Sequence, residues 1–339
     1  MRPKGLCLVA AGVVLAVSAF AFAAPRGPQP ANVHSVRIPL FVNNPSEKRA
    51  GRLIYRGGLV LSSSHRDFGG WSDLAVNADG SEILSVSDEG HWLRAKLTYD
   101  RNGDLAGVSD SQIANLLDMD GRPIHGHEND SEGMALERPN DLYGPVVISF
   151  EIDVRLWRYD LSKGLDARPT EVPLGDWQKP LRRNRQIEAI TLWHPDTLLA
   201  FAEEQLHDGE DLLAAMEAYP NVGGMPMTRR LSVVPHGDFD ITSAANAPDG
   251  GIYMLERRLS LLGGLGMEIR HIPPSEIHEG ARLNGEVLAN LSFQDANIDN
   301  MEGLAVRRGP HGETFLYVIS DDNYWRLQRT LLLMFEVRN

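Results

Sequence analysis

One pattern recurs five times along the chain and restricts its fold more than any other feature. Each copy has a carboxylate near the start of a short apolar run, then a turn, then a second apolar run that ends in charged residues. The first carboxylates of the five copies are Asp73, Glu132, Glu188, Asp240 and Glu302. They are spaced about 50 to 60 residues apart, in the range of blade-type repeats. The chain is therefore predicted to be a repeat protein built from five similar units.

The units predict an all-β fold. Each unit supplies two strands, and further strand-like runs between the units supply one or two more. Four antiparallel strands per unit make one blade of a β-propeller. The last unit has no fourth strand after Leu331 to Val337, and the run from Leu53 to Leu61 can fill that place and close the ring. We predict a β-propeller of five or six four-stranded blades, the sixth built from N-terminal strands and connectors.

One segment favours a helix. Asp208 to Ala218 has an acidic, amphipathic pattern and lies in a long insertion within the third unit. We expect it either to cover one mouth of the propeller or to be a surface excursion without a role.

The N-terminus has the pattern of an export signal. Arg2 and Lys4 precede an apolar run from Gly5 to Phe22, and Ala21-Phe22-Ala23 fits a cleavage site. The alternative is an uncleaved anchor, because the run is nearly long enough to span a bilayer. In both cases the folded part is expected to be exported, to the periplasm or the medium. The predicted divisions are a signal peptide (1–23), an extended leader (24–50) and a propeller domain (51–339).

Cysteine content and charge exclude several classes of function. Cys7 is the only cysteine and lies in the signal, so the mature chain has no disulfide, thiolate nucleophile or cysteine–zinc site. The formal net charge is −13, and removal of Arg2 and Lys4 gives −13 − 2 = −15. Such a surface repels phosphate backbones, so nucleic acid is not expected as a partner. A membrane contact is expected only if the N-terminal segment stays uncleaved.

The repeated acids predict a cation site. In a blade the first strand lines the central channel, so acids at matched positions would form one ring near a mouth and acids ending the second strands another. Carboxylates this close cannot all ionise without a counter-charge. Oxygen ligands favour Ca²⁺, with Mg²⁺ as the alternative, over Zn²⁺. The predicted metal ligands are Glu132, Glu151, Glu188, Glu302 and Asp322.

A purely structural role is the alternative for each acid, since repeat proteins also use Asp and Glu to bind backbone N–H groups in turns. That role does not explain the acidic pairs at 88–89, 203–204 and 321–322. We therefore predict catalytic roles, as ligands or general bases, for Asp88, Glu203 and Asp321. Arg257 is predicted to stabilise phosphate charge, and its alternative role is to neutralise the neighbouring acids.

An ordered set of short pieces resembles one protein family. The pieces are Asp-Ser-Glu-Gly-Met-Ala at 130–135, Glu-Arg at 256–257, Asn-Met-Glu-Gly-Leu-Ala at 300–305, Ser-Asp-Asp-Asn-Tyr at 320–324 and Thr-Leu-Leu at 330–332. From roughly Gly58 to Val337 the chain resembles the phytase-like domain family, described as having esterase-like activity of phytase. The resemblance implies an exported β-propeller whose recurring Glu and Asp residues carry phosphoester hydrolysis. The chain departs from the family pattern at Glu188-Ala189, where Glu-Gly is expected, and at Asp73, which no glycine follows.

These observations predict an exported, metal-dependent phosphoesterase that hydrolyses phosphomonoesters or phosphodiesters. Its expected partner is a small phosphorylated or ester substrate. A propeller fold supports many functions, so two alternatives stay open. One is a non-enzymatic propeller that binds a small ligand or a protein partner, and the other is a calcium-dependent, lactonase-like esterase.

Overall fold

The computed structural model describes residues 27–126, 129–181, 187–205, 207, 209–220, 227–260 and 264–338. The predicted signal peptide lies outside the described residues. Within the described ranges, no helix is long and apolar enough to cross a membrane.

The regular secondary structure of the described residues is almost entirely β-strand. Three short 3-10 helices interrupt the strands at Leu161–Lys163, Asp176–Gln178 and Pro274–Glu276. The strands are, in chain order, β1 (Gln29–Pro30), β2 (His34–Ile38), β3 (Arg49–Ala50), β4 (Leu53–Ser62), β5 (Trp71–Val76), β6 (Glu82–Ser87), β7 (His91–Tyr99), β8 (Leu105–Asn115), β9 (Ser131–Leu136), β10 (Pro145–Phe150), β11 (Arg155–Asp160), β12 (Pro169–Val172), β13 (Ile187–His194), β14 (Thr197–Gln205), β15 (Leu212–Ala218), β16 (Thr228–Val233), β17 (Asp240–Asn246), β18 (Ile252–Ser260), β19 (Gly264–Ile272), β20 (Arg282–Leu283), β21 (Glu286–Ser292), β22 (Asn300–Arg308), β23 (Thr314–Asp321) and β24 (Thr330–Val337).

These strands form five blades, which confirms the predicted all-β propeller and gives its blade number. Blade 1 is β5-β6-β7-β8 with β1 at its edge, and blade 2 is β9-β10-β11-β12. Blade 3 is β13-β14-β15-β16 with β20, and blade 4 is β17-β18-β19-β21. Blade 5 is β22-β23-β24-β4 with β2 outside. The first strand of each blade contacts the first strands of its two neighbours, so these five strands surround one axis.

The N-terminal strand β4 closes the ring, as predicted. It pairs antiparallel with β24, from Leu61 opposite Thr330 to Leu53 opposite Val337. The fourth place of the last blade is thereby filled, which removes an open sheet edge. Parts of the predicted leader also join the sheets, because β1 pairs with β8 and β2 pairs with β4.

The helix predicted at Asp208 to Ala218 is wrong for the described residues of that segment. Leu212–Ala218 forms β15, which lies between β14 and β16. Leu212, Ala214 and Met216 pack toward blade 4, whereas Ala215 packs toward blade 2. A strand buried on both faces has no alternation of apolar and polar residues, so its period resembles that of a buried helix.

The core is divided among the spaces between blades. Five clusters of buried apolar side chains fill the five spaces between adjacent blades. Between blades 1 and 5, for example, Trp71 and Ile83 pack with Tyr317 and Ile319. Burial of apolar surface contributes roughly 25 cal/mol per Å², so this lateral packing holds the five innermost strands close around the axis.

Candidate functional site

A β-bulge recurs near the start of the innermost strand in every blade. In blade 5, Met301 pairs with Ser320 and Gly303 with Ile319, which leaves Glu302 as the extra residue. The other four blades show the same shift. A bulge changes the direction of a side chain and often lies beside a functional site. The equivalent bulge residues are Ser72, Glu132, Glu188, Thr242 and Glu302.

This register corrects the sequence alignment of two units. Asp73 and Asp240 are not equivalent to the three bulge glutamates, because Ser72 and Thr242 occupy those places. An offset of one residue in a strand moves a side chain to the other face. The predicted ring of first-strand acids is therefore reduced to Glu132, Glu188 and Glu302.

The residue after each bulge lies where the inner strands approach one another. Added Cβ atoms at Gly133 and Gly303 would lie 2.8 Å from Glu188 O and 2.8 Å from Asp73 Cα, respectively. This close backbone approach explains why a glycine follows the glutamate in blades 2 and 5.

The second strands supply a second set of equivalent residues. In each blade, the residue before the bulge pairs with a residue on the second strand. The next residue along that second strand points toward the same mouth of the propeller. These positions are Asp88, Glu151, Glu203, Arg257 and Asp321. Four blades therefore present a carboxylate here, and blade 4 presents an arginine.

Both sets line one cavity of about 230 Å³, which we call the acidic cavity. Its lining comprises Ser72, Asp88, Asp130, Glu132, Glu151, Glu188, Glu203, Arg257, Asn300, Glu302, Asp321 and Asn323. Eight of the predicted site residues therefore meet here, and only Asp322 does not. Sequence reasoning missed Asp130 and Asn300, although both occur two residues before a bulge glutamate and that repeat was a usable signal.

Asp322 instead binds its own loop and a neighbouring one. Its Oδ1 accepts hydrogen bonds from the backbone N of Gly70 over 3.2 Å and of Tyr324 over 3.1 Å. Its Oδ2 accepts from Thr330 Oγ1 over 3.0 Å. These contacts are the turn-forming role that was the alternative for every acid.

Two groups of carboxylates have the spacing of a cation site. One oxygen from each of Asp130, Glu132 and Glu151 lies within 4.8 Å of the others, and the same holds for Glu151, Glu188 and Glu203. Calcium–oxygen distances are about 2.3–2.6 Å, so oxygens bound to one ion lie within about 5 Å of one another. Glu151 belongs to both groups, so the acidic cavity offers two adjacent places for a cation.

Burial and mutual repulsion favour protonated carboxyl groups in this cavity. Burial raises the pKa of Asp88 to about 8, with a further contribution from Asp321. Burial also raises the pKa of Asp321 to about 6. The pKa values of Glu132 and Glu188 are well above their usual range, because both side chains are buried and face other carboxylates. A cation would remove this penalty on the ionised forms.

Arg257 offsets part of the negative charge. Its Nη1 donates to Glu302 Oε1 over 2.5 Å and to Asn300 Oδ1 over 3.0 Å, and its Nη2 donates to Glu203 Oε1 over 3.1 Å. Burial acts to lower the pKa of Arg257, but Glu302, Glu188 and Glu203 raise it overall. Arg257 therefore neutralises neighbouring acids, which is one of the two roles predicted for it.

Arg257 alone does not compensate the negative charge of the acidic cavity. Burial raises the pKa of Glu302 to about 8 in spite of Arg257. Glu302 Oε2 and Asp88 Oδ1 are buried and have no hydrogen-bond partner among the described residues. Two orphaned carboxylate oxygens at an all-oxygen site fit a bound hard cation such as Ca²⁺ or Mg²⁺.

Comparison with known proteins identifies the family. Residues 66–324 match the profile of the phytase-like family, described as esterase-like activity of phytase. The chain belongs to this phytase-like family. No curated protein matches the chain significantly. A solved structure provisionally described as a gluconolactonase is similar over 93% of this chain and 94% of that chain, with 11% sequence identity and a TM-score of 0.42.

In this phytase-like propeller, Asp73 separates the acidic cavity from the rest of the channel. Ser72 lines the acidic cavity, and Leu74 lines an apolar cavity on the other side. Asp73 Oδ1 accepts from Leu74 N and from Ser243 Oγ, each over 2.8 Å, and Oδ2 accepts from Met134 N over 2.7 Å. Burial raises the pKa of Asp73 to about 7. Asp73 is thus a structural residue on the axis and not a wall of the acidic cavity.

A second group of ionisable residues lies on β18 and β19 of blade 4 and in the segment before β17. His236 Nδ1 lies 2.5 Å from Glu268 Oε1, and the fully buried Arg270 donates from Nη2 to Glu256 Oε1 over 2.5 Å. Arg270 Nη1 also donates to two backbone oxygens. Because Arg270 already opposes the charge of Glu256, we interpret this group as a structural ion-pair network.

Proposed function

We propose that this phytase-like protein is an exported, metal-dependent hydrolase of phosphate esters and that Ca²⁺ or Mg²⁺ binds in the acidic cavity. One observation carries the proposal: eight carboxylates converge on a cavity in which Arg257 is the one cationic side chain among the described lining residues. Such a cavity repels a phosphate group when it is empty and attracts one when it holds divalent cations.

The residues proposed to hold the metal are Glu132, Glu151, Glu188 and Glu302, together with Asp130. Their oxygens come from the adjacent blades 2 and 3 and from blade 5, so the ligand set depends on ring closure. Many carboxylate ligands without strict geometry favour Ca²⁺ over Mg²⁺. When bound, the ion would offset the carboxylate charge and act as a Lewis acid toward a phosphate oxygen.

The second-strand residues are proposed to handle the proton and the charge at the reacting phosphate. Asp88 and Asp321 belong to adjacent blades, and the charge of Asp321 raises the pKa of Asp88. Asp88 lines the acidic cavity, and its carboxylate is proposed to accept a proton from an attacking water once it is ionised. Arg257 orients Glu203 and Glu302 and adds positive charge at the edge where a phosphate oxygen would lie.

The proposal is tested by phosphate release from a panel of phosphomonoesters and phosphodiesters. The mature protein is expected to turn over at least one class with Ca²⁺, to lose activity in chelator and to regain it when Ca²⁺ is restored. Glu188→Gln should lower kcat/KM at least about 100-fold, in line with losses seen when metal-site groups are removed. The matched control, Glu286→Gln, changes an exposed glutamate in blade 4 and should retain activity. Unchanged activity in chelator would remove the metal from the proposal.

The two alternative functions give different results in the same experiment. A non-enzymatic propeller would bind a ligand saturably and hydrolyse no phosphoester, carboxylic ester or lactone. A lactonase-like esterase would hydrolyse lactones or carboxylic esters with Ca²⁺ and leave the phosphoesters intact. A combined panel therefore separates all three functions.

A further inference from the structure

The acidic cavity adjoins a larger cavity at its side. The larger cavity has a volume of about 650 Å³ and shares Arg257, Asn300 and Asn323 with the acidic cavity. Its other lining residues include the apolar side chains that we call the apolar wall, namely Leu259, Leu265, Phe293, Tyr324, Trp325 and Leu327. A ligand whose charged end lies among the carboxylates would extend along this wall.

The wall concentrates large apolar side chains in contact with solvent. Among the described residues, five of the eleven exposed large hydrophobic side chains belong to it. Leu327 is 76% exposed, Trp325 59% and Phe293 52%. Single exposed apolar residues need no explanation, but a contiguous group beside a polar cavity is typical of a binding surface.

The loop that carries much of the wall is held in one conformation. Asn323 and Tyr324 have φ values of 46° and 49°, although neither is glycine. Strained backbone of this kind persists where surrounding contacts enforce it, and it clusters at functional sites. Asp322 directly precedes this pair, and its carboxylate supplies such contacts by accepting hydrogen bonds from Gly70 N and Thr330 Oγ1.

Further contacts fix the two ends of the loop. Tyr324 Oη donates to Gly69 O over 3.1 Å. Arg329 donates from Nε to Asp299 Oδ2 over 3.2 Å and from Nη1 to Asn297 Oδ1 over 3.2 Å. The apolar side chains are therefore presented by an anchored segment, which lowers the entropy cost of binding.

The charge of the site disfavours a highly phosphorylated ligand. Neither cavity lining contains a lysine, and Arg257 is the one arginine in both. Phosphate groups on a hydrophilic polyol that reach beyond the acidic cavity would need further cationic partners, whereas the adjoining surface offers an apolar wall.

We propose that the apolar wall binds the alcohol portion of the substrate and that the substrate is a phosphate ester of a large apolar alcohol. The phosphate group of this substrate rests on the proposed function, whereas its apolar alcohol is inferred from the apolar wall alone. Trp325 and Leu327 contribute contact area, and Asp322 is a positioning residue that keeps the wall beside the acidic cavity.

The test uses phosphate monoesters of primary alcohols with increasing chain length. In the presence of Ca²⁺, kcat/KM of the mature protein should rise about two- to four-fold for each added methylene until the wall is covered. Glycerol phosphate and inositol hexakisphosphate should show no such gain. Trp325→Ala and Leu327→Ser should flatten the series through KM, so that long-chain and short-chain esters are hydrolysed with similar kcat/KM. Melting curves of both variants check that they are folded.

A matched control and a binding measurement complete the test. Tyr143→Ala removes a comparably exposed aromatic ring that lines a different cavity, and it should keep the full chain-length dependence. Affinities of non-hydrolysable alkylphosphonates, measured by calorimetry with Ca²⁺, should follow the same dependence. If the phosphonates show it and no ester is hydrolysed, the catalytic function fails and the apolar subsite stands. Equal affinity along the series, or an unchanged slope in both wall variants, would overturn the subsite.

Discussion

Ser243 Oγ donates a hydrogen bond to Asp73 Oδ1 over 2.8 Å and so joins blade 4 to blade 1 across the propeller axis. The same carboxylate accepts from Met134 N of blade 2 over 2.7 Å and from Leu304 N of blade 5 over 3.4 Å. One buried side chain therefore ties four blades together directly beneath the acidic cavity. The bulges that direct Glu132 and Glu302 into the cavity are on two of the same strands, so the relative positions of these two side chains depend on this contact.

Replacement of Asp73 by Asn should destabilise the fold. The side-chain NH2 group would face one of the N–H or O–H groups that now donate to the carboxylate, and a buried unmatched donor costs about 1–3 kcal/mol. Urea unfolding at neutral pH measures the difference. Asp153→Asn, at an exposed position, is the control and should unfold at the wild-type urea concentration. Wild-type stability of Asp73→Asn would show that the axis does not depend on this carboxylate.

Without metal, stability should decrease as the pH rises. In the folded state burial raises the pKa of Asp321 to about 6 and those of Asp88 and Glu302 to about 8, whereas unfolded carboxyl groups titrate near 4. Above about pH 4 the folded state therefore holds more protons than the unfolded state, and the free energy of unfolding falls with pH until about 8.

Thermal melts in chelator between pH 5 and pH 8.5 measure this dependence. Added Ca²⁺ binds the ionised cluster, so its stabilising effect should be larger at pH 8 than at pH 5.5. The double variant Asp88→Asn/Glu302→Gln removes two of the shifted groups and should flatten the pH dependence. A melting temperature that rises with pH in chelator would contradict the assignment.

Removal of Arg257 should destabilise the protein most when metal is absent. Arg257→Ala removes the buried cation that pairs with Glu302 and Glu203, and breaking such a pair costs about 3–5 kcal/mol. Chemical unfolding in chelator should show this loss, and Ca²⁺ should restore part of it. Arg257→Lys keeps the charge without the two-pronged contact and should lie between the two. Equal losses of stability with and without Ca²⁺ would indicate that the cation does not compensate the carboxylate charge that Arg257 compensates.

Gly303→Ala tests the close approach of the innermost strands. The new Cβ would meet backbone atoms of Asp73 at 2.8 Å, so the blades must separate, at a cost of about 1–3 kcal/mol. The expected result is a lower free energy of unfolding together with weaker Ca²⁺ binding by calorimetry. In the control Gly266→Ala, another strand position, the new Cβ meets only the flexible end of Arg258 at 3.1 Å and should be tolerated. Unaltered Ca²⁺ affinity in a destabilised Gly303→Ala would separate strand packing from the cation site.

The fold was accessible from the sequence because its signals are local. Alternating runs, turns and a spacing of matched acids specify strands and blades without any knowledge of long-range contacts. The missing fourth strand of the last unit also predicted β4 as the closing strand. The helix prediction for Leu212–Ala218 was wrong because a strand buried on both faces lacks the alternation that distinguishes a strand from a helix.

Only some of the residues that line the site could be predicted from the sequence. Equal spacing suggested five first-strand acids, but the bulge register puts Ser72 and Thr242 in two of those places and moves Asp73 to the axis. Asp322 follows Asp321 directly, yet its carboxylate binds the backbone of a loop about 250 residues earlier in the chain. Which of two adjacent acids points into the cavity cannot be recognised from the local amino-acid composition.

From its residues alone, then, the chain specifies β-strands, five repeated units, a closed ring and a mouth rich in carboxylates. Tertiary structure determines which of those carboxylates share a cavity and which one is buried on the axis. It also places the apolar wall beside them. The physical reason is that strand formation depends on neighbouring residues, whereas side-chain direction at the mouth depends on bulge register and on contacts between blades such as that of Ser243 with Asp73.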